Sequence, residues 1–459
     1  MTHSEQRVYR RAGALFGAAA IVVSLSALAA APSSGGTDRW SQPLVLDPCA
    51  AAGNPGVAFP SDQPAHRTGE GALVWARGAS CARELGVRVA AIGPADRFAR
   101  EQDIPGSASA ASASTRSPSA AIELTGAQAG RTLLSVAGTL RELPPLSGPA
   151  LTAASSAPIA LATAYRGQTV ALYVQRSAHG NALVLRRGPI AAGGANGVEP
   201  VELGAEDVEA TAAALDYRTQ AIAAWAQDAG VYARSLPGRR SLSGPIERLG
   251  SGGGDPALAA LVSDDGRAIV AWMARERGRT NVYATISQPG IRFGTPRLLE
   301  SYRDPDGAAP PAASLRLMRL SSGRVLIAWP GADSGRYVVR LAHVSVHGVE
   351  APLTIALGAT GDSLLEDIAP GPRGDWVALW THANKARALY ATYGGLTPSG
   401  TPLHGAAEEV SAAVLAGSAR VAIDPDSDRA IAAWRTPGGA LVAATRVSGG
   451  APAGALSGG

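Results

Sequence analysis

Lysine is almost absent from this chain of 459 residues: of its 41 basic residues, only Lys385 is not arginine. Arginine usage of this kind reads as codon bias rather than as a polybasic surface. Arg7, Arg10 and Arg11 against Glu5 account for +2 of the formal net charge of +4, which leaves about +2 for the rest. No run of basic residues remains to neutralise a phosphate backbone, so nucleic acid is not expected as a partner. Cysteine is scarce too, with Cys49 and Cys81 alone, and aromatics make up 5%. A mean hydropathy of +0.06 excludes a disordered chain. Helical periodicity is nearly missing after Ala31, and no Gly-Lys pair exists for a phosphate-binding loop.

The N-terminus has the order of a secretory signal: basic Arg7 to Arg11, apolar Ala12 to Ala31, then Pro32 to Gly36. Residues 1–29 are read as the signal, with cleavage after Ala29, and 30–38 as a flexible linker. The rival reading is an uncleaved anchor on the outer face of the membrane, for which the alanine- and glycine-rich stretch is weakly hydrophobic. A secreted protein without stable membrane insertion is expected. In an oxidising compartment Cys49 and Cys81 pair, the alternative being two unpaired small hydrophobes.

Internal repetition is the strongest signal. Ala72-Leu-Val-Trp75, Ala221-Ile-Ala-Ala-Trp225, Ala268-Ile-Val-Ala-Trp272, Val325-Leu-Ile-Ala-Trp329, Trp376-Val-Ala-Leu-Trp380 and Ala430-Ile-Ala-Ala-Trp434 share one pattern, and Val170-Ala-Leu-Tyr173 puts tyrosine at the anchor. From Tyr173 onward the anchors recur at 52, 47, 57, 51 and 54 residues, the size of a four-stranded unit. Each unit reads as an apolar run, a turn such as Asp264-Asp-Gly266, an anchor strand and two further strands. The inner strands lack polar alternation, as expected where both faces are buried between neighbours. Their alanines suit sheets that converge on a central channel, while tryptophan fills the widening gap outside.

These features predict an all-β chain: a β-propeller of four-stranded antiparallel blades over 39–448. An open solenoid or sandwich array is the runner-up. The last unit, Ala419 to Ser448, has three strands, and the missing fourth lies at the other end of the chain. Arg39-Trp-Ser-Gln-Pro-Leu-Val-Leu-Asp47 aligns with Arg292-Phe-Gly-Thr-Pro-Arg-Leu-Leu-Glu300. An N-terminal strand completing the last blade closes the ring and removes exposed edges. A Cys49–Cys81 bridge would tie that strand to the first blade, a cross-link worth about 2 to 4 kcal/mol. Seven blades are favoured over eight, with the Ser/Ala-rich residues 107–120 taken as an insertion and 449–459 as a flexible tail.

The Asp264-Asp-Gly-Arg267 turn followed by the Ala-Trp strand resembles secreted bacterial β-propeller repeat proteins, over about residues 40–448. The architecture is more distantly similar to sialidase-like and WD40-like propellers. Ser263-Asp-Asp-Gly266 lacks the spacing to tryptophan of the sialidase turn motif, so no catalytic residue is carried over.

Short motifs are weighed against plain alternatives. Gly361-Asp-Ser-Leu364 matches a serine-esterase signature, but no Asp-x-x-His follows and the motif falls on an inner strand. Asp424, Asp426 and Asp428 have a spacing that can surround calcium, against the commoner reading of an Asp-rich turn; no other cofactor is expected. His343 and His347 lie four apart on a predicted strand, too far to share one ion. Arg373-Gly-Asp375 reads as a turn and Gly250 to Gly254 as a linker between blades. The leading expectation is a monomeric, non-catalytic binding module for an unknown glycan or protein, with loops Arg275–Arg279 and Ser301–Asp306 as candidate contacts. The alternatives are a propeller-type glycan-active enzyme, in which carboxylates or arginines converge on the channel mouth, and a structural envelope component. Fold alone decides none of these.

Overall fold

The computed structural model describes residues 39–48 and, interrupted at several connections, residues 55–447. Cys49, Cys81, Asp426, His347 and the expected signal segment lie outside the described residues. No helix among the described residues is long and apolar enough to cross a membrane.

The described strands pair into eight sheets, all antiparallel between sequence neighbours, and the molecule is a β-propeller. In chain order the blades begin with the inner strands Gly56–Ala58, Ala110–Thr115, Ala160–Ala164, Val208–Leu215, Gly254–Val262, Arg316–Arg319, Asp362–Pro370 and Arg420–Ile423. Each inner strand packs against its successor, and Arg420–Ile423 of blade 8 packs against Gly56–Ala58 of blade 1. Eight sheets replace the favoured seven. The difference lies in residues 107–120, expected as an insertion, which supply Ala110–Thr115 and the start of Ser119–Thr125 as the first two strands of blade 2. A Ser/Ala-rich stretch has the small side chains an innermost strand needs. Ala121 to Leu124 lie on that second strand, and Thr132–Val136 forms the third.

Blade 8 takes its outer strand, Leu44–Asp47, from the N-terminal side of the chain. Leu44 pairs with Ala443, Val45 with Val442, and Asp47 with Leu441 after a bulge. In blade 5 the aligned residues do the same: Arg297 pairs with Ala284, Leu298 with Tyr283, and Glu300 with Val282 after a bulge. Register, bulge and exposure agree, Val45 and Leu298 both facing outward.

The anchor tryptophans lie between blades. Trp272, for example, packs with Ala212, Ile222, Ala224 and Ala226 of blade 4. Trp75, Trp225, Trp272, Trp329, Trp380 and Trp434 are all buried. In three blades the anchor stacks on a tyrosine directly across the next strand pair: Trp225 on Tyr232 at 5.9 Å, Trp272 on Tyr283 at 5.2 Å and Trp380 on Tyr390 at 4.7 Å. Such aromatic pairs add about 0.5–1.5 kcal/mol beyond the area they bury. Gly250, read as part of a linker, ends the outer strand Ile246–Ser251 of blade 4, and Gly254 begins blade 5. A Cβ on Gly250 would lie 3.0 Å from the Trp272 ring, so this glycine admits the indole.

Candidate functional site

Inner strands border the central channel with the edge that is unpaired within their own blade. Opposite the residue that precedes each anchor, the inner strands of blades 3, 4 and 5 carry Ala160, Ala212 and Ala259. The same position in blades 6, 7 and 8 carries Arg316, Asp367 and Arg420. One arc of the ring is alanine and another is Arg-Asp-Arg.

A β-bulge concentrates this charge. Along Asp362–Pro370 the register shifts between Leu365 and Asp367, leaving Glu366 as the extra residue. A bulge re-aims the side chain it carries. Glu366 is 2% exposed. Its Oε1 accepts from the Gly417 amide at 2.9 Å and the Thr381 hydroxyl at 3.2 Å, and its Oε2 from the Ala419 amide at 3.2 Å. Asp367 accepts from Arg316 Nε at 3.1 Å and from the Val421 amide at 3.0 Å. The Arg420 guanidinium donates to the carbonyls of Ala419 at 2.6 Å and Gly417 at 3.3 Å. Two carboxylates of blade 7 therefore grip alternate amides along the approach and inner strand of blade 8, with an arginine on either side.

Burial pushes the Glu366 carboxyl above its ordinary range, opposed by the amides of Gly417 and Ala419, by the Arg420 charge and by Thr381. Burial lowers Arg420, and Arg316 reinforces this, while Asp367 and Glu366 oppose it. The amides of Ala419 and Val421 are two residues apart, roughly 6.6 Å along a strand.

None of these four residues stood out in the sequence, where Arg316, Arg420 and the adjacent pair Glu366 and Asp367 lie in largely apolar stretches. Counting back from the anchors finds them: Ala160, Ala212, Ala259, Arg316 and Asp367 lie thirteen residues before Tyr173, Trp225, Trp272, Trp329 and Trp380, and Arg420 fourteen before Trp434.

The singled-out motifs lie elsewhere. Ser363 is fully buried opposite His382, its hydroxyl out of a substrate's reach. His343 lies on the strand Arg336–Ser345, as expected, and is buried there. In Arg373-Gly-Asp375 the Arg373 amide donates to Asp375 Oδ1 at 3.2 Å and Gly374 adopts φ 82°, which makes the turn. Loops Arg275–Arg279 and Ser301–Asp306 bind each other: Arg275 Nε is 2.9 Å from Asp304 Oδ2, and Arg279 donates to the Ser301 carbonyl at 3.0 Å. Asp424 and Asp428 sit in the turn between the first two strands of blade 8, where the Asp428 amide donates to the Asp424 carbonyl at 2.9 Å. No group of three or more metal-ligating side chains occurs among the described residues. Tyr173 lies on Gln168–Ser177 as the anchor position requires.

No protein-family model matches the chain, and no curated protein matches it. Solved structures do. A polysaccharide lyase of family PL25, an ulvan lyase, is 10% identical with a TM-score of 0.46, over 86% of this chain and 94% of its own. Hydrazine synthase from Kuenenia stuttgartiensis is 11% identical with a TM-score of 0.46, over 73% and 95%. TolB from Acinetobacter baumannii is 13% identical with a TM-score of 0.33, over 61% and 62%. At such identity and overlap no functional residue is carried across from them.

Proposed function

We propose that the chain is a glycan-active propeller enzyme whose working centre is the charged arc of Arg316, Glu366, Asp367 and Arg420. The observation that carries this reading is the bulge at Glu366. It sets a buried carboxyl, raised by desolvation, beside a second carboxylate paired with an arginine. Pairs of carboxyls in such unequal surroundings separate the acid from the base. Glu366 is then the proton donor to the leaving oxygen and Asp367 the second carboxylate. Arg316 and Arg420 select a sugar polymer that bears carboxylate or sulfate. Export, expected from the N-terminal segment, fits a polymeric substrate.

One observation favours a second reading, recognition without turnover: each oxygen of Glu366 and Asp367 already accepts a hydrogen bond. One experiment separates the two. Uronate-bearing, sulfated and neutral polysaccharides are offered to the whole chain, and binding and product release are followed together. Turnover of an anionic polymer is expected, falling as pH rises through the raised value of Glu366, because only the protonated carboxyl donates. Glu366→Gln keeps binding and loses turnover by 100-fold or more, the order of a general acid's contribution. Binding with no product from the native chain overturns catalysis in favour of recognition. A neutral polymer bound as well as an anionic one refutes the role given to the arginines.

A further inference from the structure

In blades 4 to 8 a tight turn joins the first strand to the second, closed by one residue: Gln220 in blade 4, Arg267 in blade 5, Arg324 in blade 6, Asp375 in blade 7 and Arg429 in blade 8. These turns reach sideways. The Gln220 side chain lies against Gly266 of blade 5, where a Cβ would meet its Oε1 at 2.5 Å. Gly266 has φ 80° and precedes the closing Arg267. At that seam a neutral amide meets a glycine.

The equivalent seam between blades 7 and 8 brings together two acids. Asp375 takes the place of Gln220. Asp428, with φ 57° and next to the closing Arg429, takes the place of Gly266. Asp428 is 6% exposed, and its Oδ2 is buried with no hydrogen-bond partner. The Asp375 carboxylate accepts from the amides of Arg373, at 3.2 Å, and of Asp375 itself, and its Oδ1 lies over Gly371. The Asp375 carboxyl is raised by burial and then by the Asp428 charge, with the Arg373 charge opposing. Tyr393 also senses the Asp428 charge. A buried carboxylate oxygen without a donor, whose charge acts on a second carboxylate across the seam, carries a desolvation cost that a cation removes.

We infer that Asp375 and Asp428 hold a hard divalent cation such as calcium across the seam between blades 7 and 8. Two carboxylates cannot complete a calcium shell of six to eight oxygens, so waters and carbonyls supply the rest and the site is of the weak, millimolar class. Such a site differs from the Asp424, Asp426 and Asp428 loop considered from the sequence. One ligand comes from the preceding blade, and the cation would pin blade 8 against blade 7.

Thermal unfolding of the whole chain with calcium and with chelator tests this. Calcium at millimolar concentration should raise Tm by several degrees in a saturable manner. Asp428→Asn, whose side chain tolerates the left-handed backbone, should abolish that shift and raise the Tm measured in chelator, because the like-charge contact is gone. Asp375→Asn should do the same. Terbium provides a second readout: emission sensitised by the neighbouring Trp376 should appear in the native chain and be lost in both variants. A native chain whose Tm does not respond to calcium, or a shift that survives in both variants, overturns the proposal. Stabilisation at low pH with no calcium response also overturns it, by assigning a shared proton to the pair.

Discussion

Blades 5 and 8 finish alike although one does so with continuous chain and the other with residues brought from near the other end of the sequence. The Gly294 amide donates to the Ile286 carbonyl at 3.1 Å, and the aligned Ser41 amide to the Thr445 carbonyl at 2.8 Å. The Phe293 amide donates to Glu247 of the preceding blade at 3.2 Å, and the aligned Trp40 amide to Glu408 at 3.0 Å. Glu300 accepts the indole N–H of Trp329 in the next blade at 2.7 Å, and the aligned Asp47 that of Trp75 at 2.8 Å. Each outer strand is thus latched to the blade before it and the blade after it.

The difference is as instructive as the likeness. Where the blade 4–5 seam has Ser235 and Ser287, the closing seam has Tyr393 and Arg446. The Arg446 guanidinium lies 3.7 Å over the Tyr393 ring and 3.5 Å from Glu408, and Trp40 packs on Tyr393 at 6.4 Å. A terminal strand can detach without unfolding its blade, whereas an internal one cannot. Aromatic and ionic contacts therefore reinforce the seam that lacks covalent continuity.

Removing the shared anchor should produce the largest effect and should treat the two blades alike. Trp272→Ala and Trp434→Ala are each expected to cost about 3–5 kcal/mol in denaturant unfolding, through lost transfer and the cavity left behind. A much smaller cost in blade 8 would break the equivalence. Removing the latch acceptor should cost less. Asp47→Ala and Glu300→Ala each leave an indole N–H without its acceptor, and each is expected to cost about 1–3 kcal/mol in denaturant unfolding. Asp47→Ala should in addition loosen the strand itself, seen as faster proteolysis near residue 48, while Glu300→Ala should not.

Much of this was legible beforehand. The Trp anchors and Gly-containing turns repeat because every blade solves the same packing problem, and aligning 39–47 with 292–300 pointed to the strand that completes blade 8, whose register and bulge in the structure match those of blade 5. Blade 2 was not legible, because its Ser/Ala-rich inner strand lacks the bulk and β-branching that mark a strand in sequence. The charged arc was hidden for another reason. Arg316, Asp367 and Arg420 are separated by more than fifty residues each, and only ring geometry makes them neighbours. Glu366 gains its role from a bulge, which apolar patterning does not announce.

The most direct test of the equivalence is residue-resolved hydrogen exchange on the whole chain and on a chain beginning at residue 48. In the whole chain, the third strands Leu441–Val447 of blade 8 and Arg279–Ile286 of blade 5 should be protected to a similar degree. In the shortened chain, protection should fall along Leu441–Val447 and persist along Arg279–Ile286. Unchanged protection of Leu441–Val447 without Leu44–Asp47 would contradict the account, because blade 8 would then be complete without its N-terminal strand.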